Sequence, residues 1–338
     1  MKVLILGGTN FLGPPLVRRL AGLGHEVAVF HRGRTRAELP AGVAEIRGDR
    51  HELRAHASEF RRLGPEVVVD MIPFTEADAL GVVDAFRGLA RRAVAISSAD
   101  VYRAYGRFLG MEGGPVEPTP LSEDAPLRSA LFPHRAQAWG PEDFLRDYDK
   151  IPAERAYLGD PELPATVLRL PMVHGPGDPY RRLSGYLGRM DEGRPAIVLD
   201  EVMARWKCPR GYVEDVAAAI ARAVLDDRAA GRVYNVADPA AFTEAEWVAR
   251  IGEAAGWRGE VLTAPAGRIP LPFHCKQDLD TDPSRLVREL GDVERVDGME
   301  ALARTIAWER ANPPGTARAP GLLDHASEDA LLAEIRHR

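Results

Sequence analysis

Met1-Lys2-Val3-Leu4-Ile5-Leu6-Gly7-Gly8-Thr9-Asn10-Phe11-Leu12-Gly13 decides the fold class. Its first half is an apolar run of strand length. Its second half is a glycine-rich turn, and Pro14 and Pro15 follow it. Glycines let a chain turn tightly and let a pyrophosphate approach the backbone, and the N-terminus of the next helix offers free N–H groups and partial positive charge. Proline fits the first helical turn, where a missing N–H costs nothing. A glycine motif alone also fits an ordinary strand-to-helix turn. Its position directly after the first strand makes it a dinucleotide cradle.

Outward from this stretch, strands and helices alternate, which predicts a doubly wound parallel α/β sheet of the Rossmann type, covered on both faces. Strands are expected near 2–6, 26–31, 43–47, 66–72, 92–98 and 165–170, and helices near 12–23, 52–63, 76–89 and 150–158. The run Glu66-Val67-Val68-Val69-Asp70-Met71-Ile72 has the continuous apolar character of a central buried strand. A long proline- and glycine-rich connection from Ala99 to about Ala138 reads as a functional loop over the site. Later helices are expected at 216–225, 243–256, 283–290, 298–311 and 327–336, with a strand at 231–236. The expected division is a dinucleotide-binding core over 1–170 and a region over 171–312 that returns to the core and builds a smaller substrate lobe. Residues 313–338 form an extension with a short helix.

The 338 residues are 45% hydrophobic, enough for a substantial core, and the net charge of −6 argues against a nucleic-acid partner. Two distant cysteines, Cys208 and Cys275, suggest no disulfide framework and fit a reducing compartment. No leader-like or membrane-length apolar run and no zinc-spaced cluster stands out, so a cytoplasmic protein without membrane or metal is expected. Of the 44 basic residues only Lys2, Lys150, Lys207 and Lys276 are lysines. A lysine retained against such a bias marks a place where arginine, bulkier and permanently charged, would not serve.

Several segments, taken in order, resemble the extended short-chain dehydrogenase/reductases of the NAD-dependent epimerase/dehydratase type. These are the opening glycine turn, Ser97-Ser98-Ala99-Asp100-Val101-Tyr102, Lys150-Ile151-Pro152-Ala153-Glu154-Arg155, Leu168-Arg169-Leu170-Pro171 before His174-Gly175-Pro176-Gly177, Tyr212-Val213-Glu214-Asp215, Tyr234-Asn235-Val236 and Thr305-Ile306-Ala307-Trp308. The resemblance spans about residues 1–312. It implies a bound nicotinamide cofactor held by Gly7, Thr9, Asn10, Phe11, Leu12 and Gly13, by His31, Arg32 and Arg34 after the second strand, by Asp49 and Arg50, and by Lys150, Pro171 and Val173. Arginines without a carboxylate at the end of the second strand favour NADP over NAD. Asp49 reads equally as a helix N-cap.

The family's hydride chemistry uses a serine, a tyrosine and a lysine, and the resemblance assigns Ser98 and Lys150 to two of these roles. The tyrosine expected four residues before the lysine is replaced by Arg146. Tyr148 lies only two before it, and serves only if the helix begins at Lys150, capped by Asp147 or Asp149. Tyr102 or Tyr105 acting from the long loop, or no proton donor at all, remain alternatives. On the substrate side stand Tyr102, His174, Lys207 and Arg210. The family's usual diphosphate-binding arginine is Cys208 here, which weakens a nucleotide-sugar reading. Three functions follow as expectations: an epimerase/dehydratase-type oxidoreductase acting on a carbinol or carbonyl carbon, a reductase of a small ketone or aldehyde, and a catalytically impaired NADP-binding sensor or RNA-associated protein. The partner is a small molecule, and analogy suggests a homodimer.

Overall fold

The computed structural model describes residues 1–35, 37–140, 143–313 and 322–337. Residues 314–321, near the start of the extension expected over 313–338, lie outside the described residues. The strands are β1 (Lys2–Leu6), β2 (Glu26–His31), β3 (Ala44–Arg47), β4 (Val67–Asp70), β5 (Arg92–Ser98), β6 (Ala165–Leu170), β7 (Met172–His174), β8 (Ala196–Asp200), β9 (Arg210–Tyr212), β10 (Val233–Asn235) and β11 (Glu260–Ala264). The helices are α1 (Gly13–Gly22), α2 (Ala57–Leu63), α3 (Glu76–Phe86), α4 (Arg103–Phe108), α5 (Lys150–Leu158), α6 (Ser184–Asp191), α7 (Glu201–Arg205), α8 (Val213–Leu225), α9 (Glu244–Ala255), α10 (Ser284–Leu290), α11 (Gly298–Ala311) and α12 (His325–Arg336).

Seven strands form one parallel sheet in the order β10-β6-β5-β4-β1-β2-β3. The strand order reverses between β1 and β4, so their carboxyl ends open the crevice where such sheets bind ligands. Strand interiors are apolar on both faces, because helices cover both. One core layer joins Ile5, Val29 and Val69 to Leu16 and Leu20 of α1 and to the alanine-rich face of α8. The opposite layer joins Leu4, Phe30 and Val68 to Phe60, to Val82 and Phe86 of α3, and to Tyr157 of α5.

The expected strands of the first half recur within a few residues. The helix expected at 52–63 is broken: a 3-10 turn over Arg50–His56 precedes α2. The helix expected at 216–225 starts three residues earlier. Four strands were not anticipated. β7 and β9, of three residues each, pair with one another, and β8 pairs with β11, outside the seven-stranded sheet. Strands of three residues, such as β7 and β9, carry no periodicity to read. Helix α4 likewise sits inside the connection expected to be irregular. A further cluster joins α6, α9 and α11 through Leu187, Met190, Trp247, Ile251 and Leu302. Helix α12 closes on β8, where buried Glu328 accepts the Val198 N–H and pairs with Arg189 and Arg194.

Candidate active site

The glycine turn is built by close approach. Gly7 lies at φ +88°, in the left-handed region that favours glycine, and a Cβ there would meet the Ile72 side chain at 3.1 Å. A Cβ on Gly13 would lie 2.4 Å from the backbone carbon of Gly8, so only glycine lets α1 start against the end of β1. Asn10 is exposed, and its carbonyl accepts the Gly13 N–H at 2.8 Å. Phe11 holds φ +42°, a rare value for a bulky residue and of the kind that clusters at ligand sites. Leu12 stands at the N-cap and the prolines fall in the first turn of α1. Thr9 is buried beneath the turn. These features leave the cradle open on its outer side and fit a dinucleotide's pyrophosphate.

At the end of β2, Arg32 and Arg34 are exposed and enter no ion pair among the described residues. Their charge reaches the Asp49 carboxyl, held below the ordinary range first by the His51 N–H that it caps. Asp49 is therefore an N-cap in this structure. His31 is buried and its Nε2 meets Glu45 of β3 at 2.9 Å. That carboxylate comes from a different strand, so the reading of β2 alone missed it. Arg50 corrects an expectation. Its guanidinium pairs with Asp70 and Asp78 and donates to the Ile72 carbonyl, so that side chain ties α3 to β4 and is committed to the fold, not to a cofactor.

The second half of the site gathers beyond β4 and β5. Helix α5 starts at Lys150, with Asp149 as N-cap accepting the Ile151 N–H. The capping condition set by the sequence is met, and Tyr148 lies just before the helix. Its hydroxyl oxygen lies 2.8 Å from Asp100 Oδ2, within hydrogen-bond distance. Lys150 Nζ is buried 5.7 Å from the Tyr148 ring centroid and donates to the carbonyls of Pro73 (2.9 Å) and Ile96 (3.1 Å). Ser98 ends β5, half-buried, and its Oγ accepts the Asp100 N–H. The structure thus brings Ser98, Tyr148 and Lys150 around Asp100. The Pro73 contact and the Ile72–Gly7 approach tie this cluster to the glycine cradle. Gly177, after β7, approaches Phe11 from the other side at about 3.8 Å for an added Cβ.

Burial pushes the Lys150 ammonium down to about 8, against the pull of Asp100 and Asp70. Burial and then the Asp100 charge push the Tyr148 phenol well above its ordinary value. Burial also raises the Asp100 carboxyl, opposed by Arg128, Tyr148 and Lys150. Phe74, Phe144 and His134 surround the Tyr148 ring at centroid distances of 6.0, 6.4 and 5.4 Å. The sequence reading gave Asp100, Pro73 and Phe74 no role. The available signal was a carboxylate between Ser98 and Tyr102 in an otherwise apolar stretch.

Other candidates stand apart. Tyr102 is fully buried, its hydroxyl donating to Asn235 and accepting from Arg169, which corrects the expectation that it faces a substrate. His174 is buried between Tyr212 and Trp247 with Nδ1 near Thr305 Oγ1, and burial holds its pKa down to about 3, so it is neutral and structural. Arg210 pairs with Glu244 under the Trp247 ring, in a buried position. Cys208 is buried with its thiol on Met172 sulfur, and burial pushes it up to about 12. Lys207 is half-buried, with its N–H on Asp278. Pro171 is half-buried, and Val173 belongs to the core with its carbonyl accepting from Arg182.

Residues 151–237 match the family model described as NAD dependent epimerase/dehydratase family. Over that span the chain is similar to that family. It is 29% identical over 275 residues to a 2'-dehydrokanamycin reductase of Streptomyces kanamyceticus, covering 79% of this chain and 70% of that one. It is 24% identical over 249 residues to the chloroplast stem-loop binding protein of 41 kDa b of Arabidopsis thaliana, covering 70% of this chain and 58% of that one. A solved structure of the Bordetella bronchiseptica enzyme WbmH with NAD+ superposes with a TM-score of 0.67 at 18% identity, over 93% of this chain and 99% of that one. That structure shares the fold of this chain, a parallel sheet of the Rossmann type covered by helices.

Proposed function

We propose that this protein belongs to the epimerase/dehydratase family and is an NADP(H)-dependent reductase of a small carbonyl compound. The observation that carries the reading is the cluster of Ser98, Tyr148 and Lys150 beyond β5, next to a glycine turn that only small residues can form. When bound, the reduced nicotinamide supplies the hydride. Tyr148 gives a proton to the substrate oxygen, Ser98 Oγ orients that oxygen, and the Lys150 ammonium sits where it favours negative charge on the phenol. Gly7, Thr9, Asn10, Phe11, Leu12 and Gly13 hold the pyrophosphate. Arg32 and Arg34, exposed and without a described carboxylate partner, receive a 2'-phosphate. On this division residues 1–170 serve the cofactor and 171–312 the substrate.

A ketone reductase is favoured over a nucleotide-sugar epimerase because the basic clamp is missing. Cys208 is buried and Arg210 is committed to Glu244, which leaves Lys207 as the remaining candidate cation of that segment. The similarity to a dehydrokanamycin reductase supports the same choice. Carbonyl-dependent NADPH oxidation by wild type, Tyr148→Phe and Lys150→Ala tests it. Both variants are expected to lose at least about 100-fold in turnover. Full turnover by either one refutes the role given to that residue.

A further inference from the structure

We propose that Asp100 acts through Tyr148 as its proton reservoir: it carries a proton in the resting site and passes it to the phenol oxygen as the phenol gives its own to the substrate. The inference rests on the reading of Tyr148 as proton donor.

A tyrosine has one hydroxyl hydrogen. If Asp100 is ionised, the 2.8 Å contact commits that hydrogen to Oδ2, and none is left for a substrate. If Asp100 is neutral, the same separation is kept with Oδ2–H donating to the phenol oxygen, and the phenolic hydrogen turns toward the substrate. An oxygen–oxygen distance alone does not say which oxygen holds the proton. The other carboxyl oxygen does speak to it. Asp100 is 7% exposed, and among the described residues no donor reaches its buried Oδ1. The neighbouring buried carboxylates differ. Asp149 accepts from Arg128, Ile151 N–H and Phe132 N–H. Asp70 accepts from Arg50 on both oxygens, from Tyr157 and from Ile72 N–H. Asp149 and Asp70 have donors on both oxygens, as ionised groups require, and the bare oxygen of the nearby Asp78 lies 3.0 Å from the Arg50 guanidinium, whereas among the described residues Asp100 Oδ1 has neither a donor nor a paired cation.

The surrounding cations are engaged elsewhere. Arg128 gives Asp100 only a bond to its backbone carbonyl and directs its charge to Asp149, and Lys150 Nζ donates to two other carbonyls. The groups facing the pair are Arg128, Lys150 and His134 toward the carboxyl and Tyr105 and Tyr180 toward the phenol. Burial outweighs the cations and favours the neutral carboxyl. In the reaction, as a reduced nicotinamide delivers hydride to the carbonyl carbon, the phenol O–H breaks and a substrate O–H forms. The Asp100 Oδ2–H then breaks and the phenol O–H re-forms. Asp100 is left as a carboxylate near Arg128 and Lys150, and solvent reprotonates it.

Difference infrared spectroscopy of the full chain tests this without substrate. Wild type minus Asp100→Asn is expected to contain the carbonyl stretch of a protonated carboxyl in mildly acidic to neutral solution, fading as pH rises. In Tyr148→Phe the band should shift, because its partner is gone. Absence of the band throughout that range overturns the proposal. In carbonyl-dependent NADPH oxidation, wild-type kcat should fall with rising pH through the band's midpoint. Asp100→Asn should lose that limb and about tenfold or more in kcat, with KM for NADPH unchanged. If Tyr148→Phe is inactive while the band is absent, only the role of Asp100 falls. If Tyr148→Phe keeps full turnover, both readings fall.

Discussion

Replacing Gly13 with alanine puts the glycine cradle to a quantitative test. The added Cβ would sit 2.4, 2.5 and 2.7 Å from the C, O and Cα of Gly8. Carbon atoms rest comfortably about 3.5–4.0 Å apart, so α1 must retreat by roughly 1 Å. The obstructing atoms are backbone, and no rotamer change relieves them. Overpacking of this kind costs about 1–3 kcal/mol. Against it stands the gain of alanine over glycine in a helix, about 0.5–1 kcal/mol. The clash wins, by about 1–2 kcal/mol. The retreat also withdraws the N–H groups at the start of α1 from the pyrophosphate, with an expected loss of about tenfold in NADPH affinity, or ~1.4 kcal/mol. Gly22→Ala on the same helix is the control: a Cβ there meets nothing within 4 Å, so stability should be unchanged or slightly higher and affinity unchanged. Urea denaturation and NADPH fluorescence titration of the three proteins read both effects. A Gly13→Ala protein as stable as Gly22→Ala, with wild-type NADPH affinity, would refute the close-approach argument.

Other perturbations probe the surrounding network. Arg128→Met strands Asp149 in a pair where neither side chain is exposed, and urea denaturation should show a loss of about 3–5 kcal/mol; a loss below 1 kcal/mol would contradict the pairing. His174 has its folded pKa depressed from 6.5 to about 3, so below 6.5 the unfolded chain binds a proton that the folded chain refuses. Stability from this residue is complete above pH 6.5 and drains toward pH 3, at up to about 1.4 kcal/mol per pH unit. His174→Phe should flatten that decline, and an unchanged acid slope would show that the ring is not held neutral. Replacing Arg32 and Arg34 together with alanine should weaken NADPH binding at least about tenfold and leave NADH binding nearly unchanged; equal losses for both cofactors would deny a 2'-phosphate contact.

What the sequence made legible was local. The strand–glycine–helix opening, the strands near it and the start of α5 at a capped Lys150 all depend on neighbours within a few residues. The misplacements depend on partners far along the chain. Arg50 looked free because Asp70 and Asp78 lie 20 and 28 residues away and converge on it only when β4 and α3 pack. Tyr102 looked like a loop residue because Asn235 and Arg169, which take its hydroxyl, arrive on β10 and β6. Glu45 reaches His31 only across the β2–β3 pairing. Asp100 was visible as a letter, but its one bonded oxygen and one bare oxygen are facts of three-dimensional placement.

The most direct measurement of the central claim is fluorescence titration of the cofactor-free protein with NADPH and NADH side by side. The account predicts saturable binding of NADPH and clearly weaker binding of NADH. Binding of neither would contradict a nicotinamide-dependent reductase, and equal or tighter binding of NADH would contradict the part played by Arg32 and Arg34.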